Sequence, residues 1–115
     1  MKEFSRNERV ASQLQREIAA IIQAELKDPR LGFVTVNEAR VDRDLSVAKV
    51  YVSLLDGNDK ESMLVLNKAA PFIRRELGHR LKMRVIPELR FIYDDSIKKG
   101  LELSELISTL DHNND

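Results

Sequence analysis

The first third of the chain carries apolar residues at the spacing of an amphipathic helix. One stripe recurs at intervals of four, four and three residues, and consists of Val10, Leu14, Ile18 and Ile21. This spacing places the four side chains on one side of an α-helix. Pro29 cannot continue a helix, so the pattern predicts one that ends before the turn sequence DPRLG.

The next two apolar segments alternate with polar residues, which is the period of a half-buried β-strand. FVTVNEARV and LSVAKVYVSLL flank the short polar sequence DRD, so together they predict a β-hairpin. Further along the chain, Leu89 and Phe91 alternate with Arg90. This pattern predicts a third strand, with Pro87 at its start, where the missing amide proton breaks no ladder hydrogen bond.

A second helical stripe runs through a proline. Its members lie three or four residues apart and are Met63, Leu66, Ala70, Ile73, Leu77 and Leu81. Proline is at home only in the first turn of a helix, because it lacks the amide proton and its ring crowds the preceding turn. The sequence therefore predicts either two helices or one sharply kinked helix. The kink falls at Ala69, Ala70 and Pro71, and Pro71 opens the second helical part.

A weaker helical pattern follows the third strand, from Ile97 to Leu110. The element order predicts an α+β fold in which a three-stranded mixed sheet carries its helices on one face. The connection from the second strand to the third is long enough for a right-handed crossover, which makes the third strand parallel to the second. We expect one domain over residues 1–115, ordered from about residue 5 to residue 110, with flexible termini.

Composition narrows the class of protein. The chain has 115 residues, no cysteine and a formal net charge of zero. Disulfides and thiolate metal sites are therefore excluded. The N-terminal sequence has no apolar signal region, and no apolar run approaches the roughly 20 residues of a membrane span. The expected location is the cytoplasm.

The charge is distributed unevenly although it sums to zero. Residues 66–92 contain seven Lys/Arg residues against two acids, whereas residues 93–115 contain six acids against two lysines. A local excess of positive charge acts on a nearby polyanion more strongly than the distant tail does, because fields fall off over about 10 Å at moderate salt.

The basic residues fall on the outward side of the second long helix. With Ile73 and Leu77 buried, Arg75, His79 and Lys82 lie nearly opposite them. The complete set of predicted phosphate contacts comprises Lys68, Arg74, Arg75, His79, Arg80, Lys82, Arg84, Arg90 and, in the DPR turn, Arg30. A helix start at Pro71 would add free amides that favour phosphate. Charged outer faces are also common on helices that bind nothing, so sequence physics leaves both interpretations open.

Catalytic chemistry has few candidates. The chain has two histidines and no phosphate-loop, dinucleotide, nucleophile-elbow or zinc-protease motif. The acidic pairs Asp42/Asp44 and Asp94/Asp95 could hold magnesium in a nuclease, but aspartates at such positions ordinarily stabilise turn backbone. We therefore expect no enzyme, no catalytic residue, no metal and no cofactor.

Several stretches of the chain resemble the bacterial ribosome-binding factor A family, which has the type II KH fold. They are RVASQLQREIAAIIQAELKDPRLGFVTV, RDLSVAKVYVSLL and APFIRRELGHRLKMRVIPELRFIYDDSIKKG. The resemblance implies a monomeric, non-catalytic RNA-binding protein of the cytoplasm. Its implied partners are the free or immature 30S ribosomal subunit and 16S rRNA, together with ribosomal proteins and an assembly GTPase. The implied role is late maturation, 5′-end processing of 16S rRNA and growth in the cold. The alternative is an adaptor that docks on ribosomal proteins or on another assembly factor.

One motif departs from that family. KH domains carry a Gly-x-x-Gly loop between their paired helices. The ribosome-binding factor A family resembles a KH variant in which an Ala-x-Gly kink replaces this loop. The matching triplet here is Ala69-Ala70-Pro71, which has no glycine. The benefit of glycine, close approach of the backbone to a ligand, is therefore absent at this position.

Overall fold

The computed structural model describes residues 6–55, 59–96, 100 and 103–107. Helix α1 spans Arg6–Glu25, and its predicted stripe faces the core: Leu14, Ile18 and Ile21 are fully buried. The helix ends four residues before Pro29, which lies in the turn that leads to the first strand. The sequence SRNE at residues 5–8 has the spacing of a capping box and predicts Ser5 as the helix cap, but Ser5 lies outside the described residues.

The sheet has three strands, β1 (Val34–Val41), β2 (Val47–Leu54) and β3 (Glu88–Tyr93), in the order β1-β2-β3. β1 and β2 form the predicted antiparallel hairpin, and β3 is parallel to β2, as predicted from the length of the crossover. The inward residues of all three strands join both helices in one hydrophobic cluster. The other face of the sheet carries no described helix. The architecture is the predicted α+β fold with a mixed sheet.

A β-bulge in β1 changes which residues face the core. Val36 pairs with Val52, but the next pair is Glu38 with Tyr51, so one extra residue is accommodated at Asn37. Strict alternation from Val36 would turn Glu38 inward, and the extra residue instead brings Ala39 inward. The Asn37 side chain donates to Ser53 Oγ at 2.6 Å and to Asp94 Oδ2 at 3.1 Å, which ties β1 to β2 and to the end of β3.

Helix α2 spans Asp59–Arg80 without interruption and contains Pro71. The sequence left two helices or one kinked helix open, and the structure has one helix. The prediction that a second helix begins at Pro71 is therefore wrong. Leu66, before the proline, and Ile73 and Leu77, after it, are all fully buried. Burial on both sides of Pro71 outweighs the local cost of a proline, because most helical stability in proteins comes from packing an apolar face.

Replacing Pro71 by alanine should raise the free energy of unfolding by about 1–3 kcal/mol. Pro71 has no amide proton to donate to the carbonyl of Asn67, and its own side chain is exposed, so the change restores a helix hydrogen bond without leaving a cavity. Urea unfolding followed by circular dichroism measures the difference. A lower stability of the variant would mean that the backbone geometry at Pro71 is required for the packing on either side.

A third helical segment follows β3. Ser96, Gly100 and residues 103–107 are helical, in agreement with the predicted C-terminal helix, whose Ile97 and Leu110 lie outside the described residues. Its described apolar residues, Leu103, Leu106 and Ile107, are exposed. Within the described residues, no helix is both long enough and apolar enough to cross a membrane.

Candidate nucleic-acid interface

An exposed row of basic side chains follows α2 on its outward side. Lys68 and Arg75 are seven residues apart, which is almost two full turns, and His79 follows one turn later. All three are exposed, whereas Ile73 and Leu77 on the opposite side are fully buried. The predicted orientation of the helix is thus confirmed. We call Lys68, Arg75 and His79 the α2 row.

Two of the predicted contacts on α2 itself are engaged with neighbouring elements. Arg74 donates from Nε and Nη2 to the carbonyl of Ile86, at 3.0 and 2.7 Å, and so fastens the segment after α2 to the helix. Arg80 Nη1 lies 3.3 Å from Glu17 Oε2 on α1. Both guanidinium groups therefore position neighbouring elements, and each has fewer N–H groups left for a phosphate than an uncommitted arginine has.

Four positively charged side chains gather near the C-terminal end of α2. Lys82 and Arg84, in the segment after the helix, line a groove together with Arg6 at the start of α1 and Arg43 in the β1–β2 turn. The groove has a volume of about 530 Å³. We call these four residues and the space between them the basic groove. Because Lys82 lies three residues beyond His79, the α2 row leads into this groove.

The charge of the basic groove is poorly balanced. Asp44 is the only acid among the lining residues, and its Oδ1 accepts a hydrogen bond from Ser46 Oγ at 2.8 Å. Within the part of the chain that the structure describes, none of the four cations forms an ion pair or a hydrogen bond. Four cationic side chains line the groove, and its one acid, Asp44, is already hydrogen-bonded within the turn. This balance of charge favours binding of a polyanion over binding of a neutral ligand.

Sequence reasoning missed two members of the basic groove, Arg6 and Arg43. They lie 37 residues apart, and each is further still from Lys82 along the chain. Arg43 stands between Asp42 and Asp44, so its charge is cancelled in any local count. The only sequence signal for Arg43 is that its two neighbours bind turn backbone, which leaves the arginine facing outward.

The β1–β2 turn that presents Arg43 is held by Asp42. Its Oδ1 accepts hydrogen bonds from the amides of Ser46, at 3.0 Å, and Val47, at 3.1 Å. The Val47 amide is the main reason why the pKa of Asp42 lies below its usual value. Leu45 takes a left-handed backbone conformation, with φ of 59°, and still packs against the core. The turn is therefore well defined rather than a loose loop.

The second acidic pair also binds backbone. Asp94 Oδ1 accepts a hydrogen bond from the amide of Ser96 at 3.0 Å, and hydrogen bonds from Ser96 and then Asn37 lower the pKa of the Asp94 carboxyl. The interpretation of Asp42, Asp44 and Asp94 as residues that stabilise turns is confirmed. Among the described residues, no three histidine, aspartate or glutamate side chains gather in a way that could hold a metal ion.

The predicted phosphate site at a helix start beside Pro71 does not form. Because α2 is continuous, the amides after Pro71 donate within the helix and are not available to a ligand. Ala69 and Ala70 are half-buried and pack against the core, while Pro71 is exposed. An anion near this position would meet the side chains of the α2 row rather than free backbone donors.

Arg30 is paired with its own turn. Its guanidinium group donates to both carboxylate oxygens of Asp28, at 2.6 and 3.0 Å, and its amide donates to Asp28 Oδ1 at 2.9 Å. These hydrogen bonds lower the pKa of Asp28 from an ordinary value of 3.8 to about 2. The carbonyl of Arg30 accepts a hydrogen bond from buried Ser62 of α2. Arg30 is thus part of the joint between α1 and α2, apart from the basic groove.

Because of the ion pair between Arg30 and Asp28, we expect the stability of the wild type and that of Asp28→Asn to differ in a way that depends on pH. A carboxyl whose pKa is lower in the folded state stabilises the fold above its ordinary pKa of 3.8, and this stabilisation is lost as pH falls through about 2. The wild type should therefore have the higher urea midpoint at pH 5–7, and the two midpoints should converge between pH 4 and pH 2. A constant difference at every pH would show that charge at Asp28 is not the cause.

Arg90 lies on the opposite side of the molecule from the α2 row. Its neighbours in β3, Leu89 and Phe91, point into the core beneath the helices, so Arg90 projects from the uncovered face of the sheet. There its Nη2 lies 3.6 Å from Glu88 Oε2. The structure therefore does not bring Arg90 together with the other predicted contacts.

Comparison with known proteins gives a consistent result along almost the whole chain. The profile of the ribosome-binding factor A family matches residues 6–107. Ribosome-binding factor A from Shewanella sediminis is 51% identical over 110 residues, which are 93% of this chain and 77% of that protein. The protein of the same name from Shewanella baltica is also 51% identical over 110 residues, again 93% of this chain and 70% of its own.

Solved structures agree with the sequence comparison. The crystal structure of ribosome-binding factor A from Thermus thermophilus is 34% identical, covers 77% of this chain and 97% of its own, and superposes with a TM-score of 0.70. Coordinates of the Thermus thermophilus factor fitted into the cryo-EM map of a 30S complex are 35% identical and cover 74% of this chain and 91% of theirs, with a TM-score of 0.65. The fold, the matched length and the identity lead to one conclusion: this chain belongs to the ribosome-binding factor A family.

Proposed function

We propose that this chain binds the 30S ribosomal subunit during its assembly, and that it does so through phosphates of 16S rRNA. The observation that carries the proposal is the basic groove, in which four cations from three separate segments converge around a single acid. The Thermus thermophilus relative fitted into a 30S complex supports the same partner. The α2 row extends the positive surface from the groove along the outward side of α2.

Recognition of backbone and shape suits these residues better than recognition of bases. Lysine and arginine side chains at the surface contact phosphates whatever the sequence, and structured RNA is largely recognised through its shape and its phosphates. Phe91, by contrast, is buried in the core, where no base can stack on it. Specificity then comes from a groove that fits one folded arrangement of rRNA.

The mechanism is differential affinity. A protein that binds an immature rRNA conformation more tightly than the finished one shifts the equilibrium between the two, and it leaves when the finished conformation is reached. Such a chain acts in the cytoplasm as one monomeric KH-like domain, without cofactor and without catalysis. It supports late maturation and 5′-end processing of 16S rRNA, and growth in the cold, beside ribosomal proteins and an assembly GTPase.

Co-sedimentation with purified 30S subunits over a range of salt concentrations tests the proposal. Each phosphate contact adds to the salt dependence, so affinity should fall steeply between about 50 and 200 mM salt. Deproteinised 16S rRNA should compete for the chain. Absence of binding at about 50 mM salt would refute the proposed function. Binding that ignores salt and survives digestion of the RNA would instead identify a protein-binding adaptor.

A further inference from the structure

The uncovered face of the sheet carries a row of three positive charges, one from each strand. Arg40 of β1 pairs directly with Lys49 of β2, and Lys49 pairs directly with Arg90 of β3. All three are exposed, and the residues on either side of each in its strand point into the core. We call Arg40, Lys49 and Arg90 the sheet row. Only Arg90 among them was suggested by the sequence analysis.

This arrangement costs the free protein stability. Opposite charges placed directly across a ladder stabilise a sheet, and like charges are unfavourable at the same positions. Here both cross-strand pairs are of like charge. Two glutamates offset the positive charge only at the ends of the row. Glu38 Oε1 lies 3.0 Å from Arg40 Nε, and Glu88 Oε2 lies 3.6 Å from Arg90 Nη2. Lys49, at the centre, has no ion pair among the described residues.

The sheet row lines a depression, and one of its side chains, Arg40, is held in place by its neighbours. The three cations line a shallow depression of about 360 Å³ together with Tyr51. The guanidinium carbon of Arg40 lies 5.3 Å from the centre of the Tyr51 ring, which is the geometry of a cation–π contact. Arg40 is therefore held by Glu38 on one side and by the ring on the other. A ligand that binds there does not have to order this arginine first.

The depression is lined in part by the β1–β2 turn, which also lines the basic groove. Its lining includes Asp42, and the basic groove is lined by the next two residues of the same turn, Arg43 and Asp44. An RNA strand that leaves the basic groove past Arg43 would thus meet Arg40 and then Lys49. The turn is fixed by hydrogen bonds from the amides of Ser46 and Val47 to Asp42, so Arg43 is presented from a defined backbone beside the depression.

We infer that the sheet row is a second RNA-binding surface, which takes the phosphodiester backbone of a single-stranded rRNA segment that continues from the basic groove. The three cations of the sheet row repel one another in the free protein. Phosphates placed over Lys49 and between the two arginines would offset this repulsion, because neighbouring cations would then be attracted to the same anion. Positively charged grooves that follow a backbone beside an aromatic side chain are how single strands are bound without strict sequence preference. The inference presumes that the chain binds rRNA, as proposed above.

The test is the double variant Lys49→Gln with Arg90→Gln, titrated with 30S subunits and with deproteinised 16S rRNA at several salt concentrations. If both side chains contact single-stranded RNA, the slope of log affinity against log salt should shrink by about 0.7 per contact, or about 1.4 for the pair. Affinity for both ligands should fall roughly 10-fold or more at about 100 mM salt. The thermal midpoint of the free protein should be unchanged or higher, because like charges have been removed.

The matched control is Lys27→Gln with Lys60→Gln. Both lysines are exposed and lie near the open end of the hairpin, away from the β1–β2 turn, and the net charge changes by the same amount. The control should keep the wild-type slope. The inference is overturned if the sheet-row variant also keeps that slope and affinity, or if it loses affinity for 30S subunits while its affinity for bare rRNA is unchanged. The second result would assign the row to an acidic protein. Failure of the wild type itself to bind rRNA would refute the proposed function rather than the position of the row.

Discussion

Lys82→Glu combined with Arg84→Glu is expected to lower the affinity for 30S subunits at least about 100-fold at about 100 mM salt. Hydrogen bonds to charged groups contribute about 1.5–3 kcal/mol each, and a factor of ten in affinity corresponds to about 1.4 kcal/mol. The loss of two such contacts is therefore sufficient for a fall in affinity of about 100-fold. The introduced carboxylates would also be repelled by the phosphates of the RNA. Both side chains are exposed and make no internal ion pair among the described residues, so the fold should be retained.

The control for this variant is Lys27→Glu with Lys60→Glu, which changes the net charge equally at a distance from the basic groove. Its affinity should fall only by the long-range effect of net charge, which salt screens over about 10 Å. Thermal melting of each variant separates loss of binding from loss of folding. A folded groove variant that still co-sediments with 30S subunits as the wild type does would remove the basic groove from the interface.

Neutralising one groove residue that the sequence analysis did not identify tests the geometry itself. Arg43→Gln leaves the α2 row intact and should reduce the salt slope by about one contact. The same change in Arg9, an exposed arginine of α1 outside the basic groove, should have no such effect. Equal slopes for the two variants would favour the α2 row alone over the basic groove.

Ile73→Ala is expected to lower the free energy of unfolding by about 2–5 kcal/mol. Ile73 is fully buried and belongs to the cluster that joins both helices to the sheet. Truncation removes buried apolar area and leaves a cavity that the surrounding side chains fill only in part. Because whole domains are stable by only about 5–15 kcal/mol, a loss of this size is a large part of the total. Urea unfolding followed by circular dichroism gives the value.

Leu64→Ala provides the comparison within the same helix. Leu64 is 66% exposed and is excluded from the core, so its truncation should change the free energy of unfolding by no more than about 0.5 kcal/mol. A similar loss for both variants would mean that α2 does not pack with the face described. Ile73 lies two residues after Pro71, so its large effect would also show that the core continues past the proline.

Local patterns were sufficient for most of the fold. The stripe from Leu14 to Ile21 and the alternation of β2 predicted which residues are buried, because period 3.6 and period 2 each leave one side of an element apolar. The parallel β3 followed from the length of its connection and the handedness of crossovers. The outward orientation of Arg75 and His79 followed from the buried positions of Ile73 and Leu77 on the same helix.

Where two local rules competed, the sequence could not choose between them. Pro71 disfavours a helix interior, and the apolar stripe requires one. The structure follows the stripe, because Leu66, Ile73 and Leu77 gain more from burial in one core than the proline costs. The bulge at Asn37 is a similar case, since the amide side chain finds partners on β2 and after β3 that no local pattern contains.

Apart from the continuity of α2 and the bulge in β1, the sequence by itself determined the elements, their order, their buried sides and the location of the excess positive charge. Only the tertiary structure decided which charges act together. It binds Arg74 to Ile86 and Arg80 to Glu17, and it turns Arg90 onto the far face of the sheet. It also brings Arg6 and Arg43 to Lys82 and Arg84. The reason is physical: burial depends on the period of residues along one element, whereas an electrostatic surface depends on distances between elements, which only packing sets.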